Sequence, residues 1–263
     1  MDVNIEKIDK VTNFLKNLGK AAVMLSGGVD SSVLTYLAVK ASGPENVIAI
    51  TVNSPLTFKI DVDFACKVTK LLNVRHLIVQ VDELSNINIA LNTPLRCYYC
   101  KKMRIKVIRE ALKAHGYDHF KIIDGTNIDE AHGRPGLKAL KEEGVYSPYL
   151  MFDVTKNEIR ELACRFSLPT AHKPPNSCKA TRIELFTPLR REILDLIEEL
   201  EIEVGKLLGN ATLRARMSNG YIRIEVPEDV MHRVFNLRHE IMRIIEDKGF
   251  KGVTLSLKPY ARR

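Results

Sequence analysis

The chain has 263 residues, of which 45% are hydrophobic and 27% charged, a composition that excludes an intrinsically disordered protein. No apolar run reaches the roughly 18 residues of a membrane span, and the first residues lack the basic start and apolar stretch of a secretion signal, so we expect a cytoplasmic protein without membrane contact. The net charge of +8 favours anionic ligands, either nucleotides or nucleic acid.

Short apolar strands alternate with helical patterns over the first two-thirds of the chain. Strands are predicted over 21–25, 47–52, 76–81 and 120–124, and helices over 5–18, 31–41, 62–72 and 102–115. Strands separated by helices form βαβ units, so this order predicts an α/β fold with a parallel sheet. Thr155 followed by Glu158 predicts a capping box that opens a further helix. Cys66 lies on the apolar side of its helix and is predicted to be buried.

The last third of the chain has a different pattern. Residues 168–187 contain several prolines and no hydrophobic period, which predicts a loop. The elements predicted after it are a helix over 189–208, a hairpin that turns at 218–220, a helix over 229–248 and a strand over 253–257. We therefore expect two domains, one over 1–185 and a smaller α+β domain over 186–263.

The first strand runs directly into a loop rich in glycine and serine. Gly27 and Gly28 permit a tight turn whose N–H groups face one concavity, and the next helix adds its free N–H groups and positive dipole end. Asp30 is positioned to help hold Mg²⁺ or to cap that helix. The predicted phosphate-binding residues are Ser26, Gly27, Gly28, Val29, Asp30, Ser31 and Ser32. The alternative is a strand–helix turn that merely needs glycine and a serine cap.

Five cysteines, an odd number, favour reduced thiols or metal ligands over a disulfide scaffold. Cys97 and Cys100 form a Cys-x-x-Cys just ahead of a predicted helix, and Cys178 lies in the proline-rich loop. Three thiolates would leave one iron of a [4Fe–4S] cluster open, which is the favoured interpretation. Two alternatives stay open: a zinc site completed by His172 or His132, and a redox dithiol with Cys178 as acceptor.

The predicted hairpin carries charged residues at alternating positions. Arg214, Arg216, Arg223 and Glu225 alternate with apolar residues, so the arginines share a polar face of the sheet. Because arginine binds phosphate and carboxylate groups in a bidentate manner, this face predicts a site for an anionic substrate. A solvated basic surface is the alternative.

Residues 26–31 match the string Ser-Gly-Gly-x-Asp-Ser and resemble the PP-loop of the N-type ATP pyrophosphatases. The resemblance implies that ATP binds at the carboxyl ends of a parallel sheet, with Mg²⁺, and is cleaved between its α- and β-phosphates. The substrate becomes an AMP ester, and pyrophosphate leaves. Adenosine contacts are implied at Asn53, after the second strand, and at Gly125, Thr126 and Asn127, after the fourth.

Four stretches together resemble the LarE group of ATP-dependent sulfur transferases. They are the loop at 26–31, residues 124–129 with 134–136, residues 144–148, and the Cys178 loop that ends in Arg182. The resemblance implies adenylation of a carboxylate of pyridinium-3,5-biscarboxylic acid mononucleotide and insertion of sulfur, in the synthesis of a nickel-pincer nucleotide cofactor. The substrate residues then expected are Arg134, Arg182, Arg214 and Arg216.

The cysteine pattern separates two branches of that group. In one branch the cysteine that matches Cys178 gives up its own sulfur and the protein works once. This chain resembles the branch with three cysteines and a [4Fe–4S] cluster, which implies that sulfide or another sulfur donor supplies the sulfur and that Cys97, Cys100 and Cys178 act in catalysis. We further expect a homo-oligomer.

Two other functions stay open. The charge suits tRNA, and related enzymes thiolate tRNA through a cluster. Those enzymes, however, commonly carry lysine where Val29 stands, and the chain has no aromatic-rich basic stretch for RNA. A non-enzymatic role in carrying ATP or an iron–sulfur cluster predicts nucleotide binding without release of pyrophosphate.

Overall fold

The computed structural model describes residues 3–131 and 133–260, and its contacts divide the chain into two compact units. The first unit takes in Met1–Asp82 and Cys97–Lys173, and the second takes in Glu83–Arg96 and Pro174–Arg263. No helix formed by the described residues combines the length and apolar character that crossing a membrane requires.

The described residues form eleven α-helices and seven β-strands. The helices are α1 (Ile5–Leu18), α2 (Val29–Ser42), α3 (Lys59–Leu71), α4 (Ile87–Ala90), α5 (Arg96–Ala114), α6 (Pro135–Glu142), α7 (Pro148–Met151), α8 (Lys156–Arg165), α9 (Arg191–Leu207), α10 (Met231–Asn236) and α11 (Arg238–Asp247). The strands are β1 (Ala21–Met24), β2 (Val47–Asn53), β3 (Arg75–Gln80), β4 (Lys121–Ile123), β5 (Arg214–Ser218), β6 (Tyr221–Glu225) and β7 (Gly252–Leu255).

A four-stranded, all-parallel sheet with the order β3-β2-β1-β4 forms the centre of the first unit. This confirms the predicted α/β class. Because β1 lies between β2 and β4, the loop that follows β1 emerges between the carboxyl ends of its two neighbours. In parallel sheets, ligands bind outside these carboxyl ends.

Both faces of β1 are buried because helices cover the sheet on two sides. Val23 belongs to one core cluster with Leu37 of α2, whereas Ala22 belongs to a second cluster with Ile105 of α5. Successive side chains of a strand point to opposite faces, so a strand buried on both faces reads as a continuous apolar run. The sequence around residue 21 has this pattern.

Helix α5 begins earlier than the predicted start at residue 102. Its first residue is Arg96, whose N–H donates to the carbonyl of Thr93 at 2.9 Å. Cys97 and Cys100 therefore lie inside the helix, not ahead of it, which corrects the sequence prediction. The first turns carry polar and aromatic residues without an apolar period, although no proline or glycine interrupts them.

The second unit contains a three-stranded sheet with the order β5-β6-β7. Strands β5 and β6 form the predicted antiparallel hairpin, and β7 pairs with β6 in parallel. Asn219 and Gly220 have φ values of 52° and 85°, as a two-residue hairpin turn requires. This smaller sheet agrees with the α+β expectation.

The second unit also includes residues 83–96 and 174–185, which the sequence pattern assigns to the first domain. The Asn92 side-chain amide donates to the carbonyls of Ile183 and Glu184 at 3.3 and 2.8 Å, joining the two segments. Such long-range hydrogen bonds leave no periodic signal. A folding boundary between residues 185 and 186 stays a prediction.

Two local predictions are wrong. The single helix expected over 229–248 is divided at Leu237, where ψ is 21°. Buried residues on both sides keep helical spacing, so periodicity did not reveal the break. Cys66 is exposed, because α3 buries the neighbouring Ala65 and Val68 instead.

Candidate functional site

The loop at 26–32 is held in shape by its own polar groups. Ser31 Oγ accepts from the Ser26 N–H at 3.1 Å and donates to the Gly28 carbonyl at 3.2 Å. Ser32 Oγ donates to the same carbonyl at 2.8 Å. Gly27 is buried with φ of 70°, and a Cβ there would lie 1.8 Å from the carbonyl oxygen of Asp61. A glycine is therefore required, and the loop forms a fixed turn at the start of α2.

The residues after β4 lie against this loop. A Cβ on Gly125 would lie 2.9 Å from the Ser31 nitrogen, so the two backbones are in close contact. The Asn127 side-chain amide donates to Asp30 Oδ1 at 3.0 Å. Asn127 is fully buried, and its Oδ1 atom has no hydrogen-bond partner within the described ranges. The structure thus brings Gly125 and Asn127 to the loop, and Asn53 ends the adjacent strand β2.

Two residues that the sequence patterns did not single out hold Asp30. Lys156 forms an ion pair with its carboxylate, and the Tyr149 hydroxyl donates to its carbonyl at 3.4 Å. Burial, helped by the Asp30 charge, raises the pKa of Tyr149 well above its usual value, so the phenol stays protonated. The helix cap predicted for Asp30 is not formed, because Gly28 is the N-cap of α2.

Lys156 lies next to a sequence motif that predicts the start of α8 but does not predict a role in the site. Lys156 is the first residue of α8, directly after Thr155 in the predicted capping box, which the structure confirms. The box predicted where the helix starts. The capping box did not predict that Lys156 would pair with Asp30 in the loop after β1.

Asp124 connects the loop after β4 to the helix that carries two cysteines. The buried carboxylate accepts from Thr126 Oγ1 at 2.7 Å and from Ser147 Oγ at 2.6 Å. Lys101, which follows Cys100 on α5, lies 3.4 Å from the same carboxylate. The first turns of α5 are thereby joined to the end of β4.

Cys97 and Cys100 are separated by one helical turn of α5. Residues three apart on a helix share a face, with about 5–6 Å between their Cβ atoms. Cys97 is exposed and Cys100 is half-buried. The predicted substrate residue Arg134 belongs to the same unit, where it is the N-cap of α6 and pairs with Glu130 at 3.2 Å.

Cys178 belongs to the second unit and is half-buried at the start of a 3₁₀-helix over Lys179–Arg182. The part of the chain that the structure describes holds no group of three or more His, Cys, Asp or Glu side chains able to bind a metal ion. His132, a ligand of the zinc alternative, lies outside the described residues. Among the described residues, a preformed cluster or zinc site is therefore not found.

Two buried ion pairs attach the Cys178 segment to α9. The Lys179 ammonium lies 2.6 Å from Glu198, and the Arg182 guanidinium contacts both carboxylate oxygens of Glu201, at 2.7 and 3.2 Å. Arg182 also donates to the Ser177 carbonyl, to Asn176 Oδ1 and to Thr181 Oγ1. Arginine has five N–H donors, and these contacts occupy them all. This arrangement favours a positioning role for Arg182 over the predicted contact with substrate.

The hairpin arginines face the same segment. Arg214 donates to the Pro175 carbonyl at 3.2 Å, and its guanidinium lies 4.3 Å from the centroid of the Tyr260 ring. Arg216 donates to the Thr181 carbonyl at 2.6 Å and to Glu225 at 2.8 Å. Both are half-buried, and burial lowers the pKa of Arg214. Cys178 is thus flanked along the chain by two carbonyls that arginines hold.

The fold and the loop define an enzyme of the PP-loop ATP pyrophosphatase superfamily. The family model described as NAD synthase matches residues 5–115, which span β1, the loop and α2.

Relatives that match more than nine-tenths of the chain identify the family within this superfamily. The chain is 31% identical to pyridinium-3,5-bisthiocarboxylic acid mononucleotide synthase of Lactiplantibacillus plantarum, over 92% of the chain and 87% of that protein. It is 31% identical to the protein slr1717 of Synechocystis over 97% of the chain and 94% of the relative. It is 30% identical to MJ0830 of Methanocaldococcus jannaschii over 98% of both. The chain belongs to the LarE family of sulfur transferases.

Proposed function

We propose that the protein is an ATP-dependent sulfur transferase that converts pyridinium-3,5-biscarboxylic acid mononucleotide towards its thiocarboxylate form, as a step in the synthesis of a nickel-pincer nucleotide. The observation that carries the proposal is the similarity to the Lactiplantibacillus plantarum synthase over 92% of the chain. A match of that extent includes residues of both compact units.

The first step is adenylation. A carboxylate oxygen of the substrate attacks the α-phosphorus of ATP, a new P–O bond forms, and the bond to the β-phosphate oxygen breaks to release pyrophosphate. The backbone N–H groups of the loop and the N-terminus of α2 stabilise the charge that develops on the leaving group. The Lys156 ammonium beside Asp30 supplies a further positive charge.

Oxygen atoms suited to Mg²⁺ are present at the loop. The Asp30 carboxylate and the buried, unpartnered Oδ1 of Asn127 are hard ligands of the kind that this ion takes. When bound, Mg²⁺ neutralises phosphate charge.

The second step is transfer of sulfur. A sulfur nucleophile attacks the carbonyl carbon of the acyl adenylate and AMP leaves with the former carboxylate oxygen, so that a thiocarboxylate remains. Arg214 and Arg216 are proposed to bind the anionic groups of the mononucleotide, since they form one half-buried polar face of the hairpin.

We also propose that Cys97, Cys100 and Cys178 are ligands of a [4Fe–4S] cluster. The support is chemical: cysteine thiolates are the usual ligands of such clusters, and Cys97 and Cys100 share one face in the first turns of α5. The described residues hold no preformed set of three ligands.

Adenylation is tested with Asp30→Asn. Pyrophosphate release that depends on the substrate is expected to fall by about 100-fold or more, because the carboxylate that is proposed to hold Mg²⁺ and that pairs with Lys156 is lost. Asp118→Asn, at an exposed position, is the matched control. Unchanged pyrophosphate release in the Asp30 variant would contradict the proposal.

The cysteines are tested one at a time. Cys→Ala at 97, 100 or 178 is expected to remove most of the bound iron from protein purified without oxygen, whereas Cys66→Ala and Cys164→Ala, both at exposed free thiols, keep it. The intact mass after turnover distinguishes the two branches, since a Cys178 that is consumed loses the mass of H₂S.

The tRNA alternative predicts a tight, salt-sensitive tRNA complex and a thiolated tRNA product. Binding of small anionic nucleotides with tRNA inert supports the proposed substrate. The homo-oligomer also stays a prediction, which the mass of the native protein in solution tests.

A further inference from the structure

A buried lysine lies between the phosphate loop and α3 and contacts both. Lys173 Nζ donates to the carbonyl of Gly27 at 2.6 Å and to the Asp61 carboxylate at 2.6 Å. It also lies 4.6 Å from the centroid of the Phe64 ring. The Lys173 side chain is only 6% exposed. An ammonium group is rarely buried unless it is paired, and here the Asp61 carboxylate supplies the opposite charge.

The contact with Gly27 fixes the orientation of a peptide group in the loop. The Gly27 carbonyl and the Gly28 N–H belong to the same peptide, which is trans, so they point in opposite directions. The carbonyl faces Lys173. The Gly28 N–H therefore faces the other side, towards Ser26 Oγ at 3.4 Å. Ser26 is one of the predicted phosphate-binding residues, so this side is the concave face that the sequence predicts for the loop.

Without the ammonium group, nothing about glycine itself would keep this orientation. Glycine takes positive and negative φ values almost equally well, so a peptide between Gly27 and Gly28 is easily turned over. A reversed peptide would present a carbonyl oxygen to the concave face in place of an N–H. An anionic phosphate would then meet a negative dipole where it needs a hydrogen-bond donor.

The other two contacts explain how the ammonium group keeps its place. Asp61 supplies the opposite charge and Phe64 supplies a ring face, and both lie on α3, whose first turn also packs against Gly27. Lys173 is thus held by one rigid helix while it holds the loop.

We propose that Lys173 is a positioning residue that orients the Gly27–Gly28 peptide for the pyrophosphate portion of ATP. The inference rests on the proposed function, since it requires that the loop binds ATP. Lys173 lies outside the Ser-Gly-Gly-x-Asp-Ser motif and is not one of the predicted site residues. Lys173 acts through the loop backbone, so the effect on phosphate binding exceeds the effect on nucleoside binding.

The test compares three ligands on two variants by titration calorimetry. Lys173→Met keeps the aliphatic stem and removes the donors. The dissociation constants of Mg·ATP and of inorganic pyrophosphate are expected to rise about 10- to 100-fold, the equivalent of one charge-assisted hydrogen bond, while that of adenosine stays unchanged. Lys67→Met is the matched control, because Lys67 lies 5.1 Å from the same ring and is exposed.

A second variant guards against a general loss of structure. In Lys173→Ala, n-propylammonium replaces the missing atoms and is expected to restore pyrophosphate binding, whereas n-propanol, which lacks the charge, does not. Equal weakening of all three ligands, or wild-type pyrophosphate affinity in Lys173→Met, would overturn the inference. Failure of the wild-type protein to bind Mg·ATP would instead overturn the proposed function and the inference with it.

Discussion

The phosphate loop and the segment that carries Cys178 are both fixed, but by contacts of different range. Within the loop at 26–32, serines bond the loop's own backbone and Gly27 takes a conformation that needs glycine, although Lys156 and Lys173 also contact the loop from far along the chain. The segment around Cys178 is held by residues far along the chain, through ion pairs to α9 and arginines of β5.

This difference explains which region a sequence motif can reveal. Contacts within seven consecutive residues require particular residue types at a fixed spacing, and that pattern is recognisable in a sequence. Contacts between Arg182 and Glu201 depend on residues whose spacing is set by the fold. Losing these long-range ion pairs lowers the free energy of unfolding, because breaking a buried ion pair leaves an uncompensated charge.

The largest effect is expected from breaking the loop with Gly27→Ala. The new Cβ would lie 1.8 Å from the Asp61 carbonyl oxygen, so the loop must move away from α3. The N–H groups then no longer converge on one concave face. Mg·ATP binding, measured by titration calorimetry, is expected to weaken by more than about 100-fold, the scale of losing preorganised donors.

Gly19→Ala is the control for that substitution. Gly19 has a similar φ of 76°, but a Cβ there meets nothing within 4 Å. Both variants carry the strain of alanine at a positive φ, about 1–3 kcal/mol. Only Gly27→Ala is expected to lose ATP binding, and equal ATP affinity in the two variants would show that the close approach to Asp61 is unimportant.

The second prediction breaks the long-range contacts with Arg182→Met. Glu201, whose side chain is 12% exposed, is left without its cation, so the free energy of unfolding is expected to fall by about 3 kcal/mol in denaturant titrations. The double variant Arg182→Met/Glu201→Gln is expected to recover part of this loss. Arg165→Met, which removes a surface ion pair with Glu161, is expected to change stability by no more than about 0.5 kcal/mol.

The same variants separate the two roles considered for Arg182. A positioning residue predicts that the double variant regains substrate binding as it regains stability. A residue that contacts the substrate predicts that binding stays lost. Substrate affinity measured at a temperature where both variants are folded distinguishes the two outcomes.

The sequence predicted the parallel sheet, the capping box before α8 and the hairpin, because each has a local signature in period or turn residues. The resemblance implied adenosine contacts at residues 125–127, which stays a prediction; the structure shows that Gly125 and Asn127 lie against the loop. The sequence did not identify Lys156 or Lys173. A lysine that pairs with a residue more than a hundred positions away has no local signature.

Arg182 shows a different kind of limit. The resemblance implied that Arg182 binds an anionic substrate, and it does bind an anionic group, but that group is the Glu201 carboxylate of the protein itself. Bidentate pairing is equally suited to a ligand carboxylate and to a glutamate. Only the burial of the side chain and the occupation of its donors separate the two cases.

The smallest predicted effect is the pH dependence of stability that arises from His76, which is linked through Thr51 to the residue before the loop. Thr51 Oγ1 donates to the carbonyl of Leu25, the residue before the loop, and also contacts His76 Nε2 at 2.8 Å. Because the threonine hydrogen is used by Leu25, the His76 nitrogen is the donor. Burial lowers the pKa of His76 below its usual value of 6.5, so the folded protein keeps this imidazole neutral where the unfolded chain begins to take up a proton.

The sign of the pH effect follows from that difference. As the pH falls below 6.5, the unfolded chain binds more protons at His76 than the folded protein does, so stability decreases until the folded pKa is passed. One proton limits the slope to about 1.4 kcal/mol per pH unit. In His76→Asn this part of the slope is expected to vanish in denaturant titrations between pH 8 and pH 5, whereas His239→Asn, at an exposed position of α11, keeps it. Identical slopes in wild type and His76→Asn would contradict this prediction.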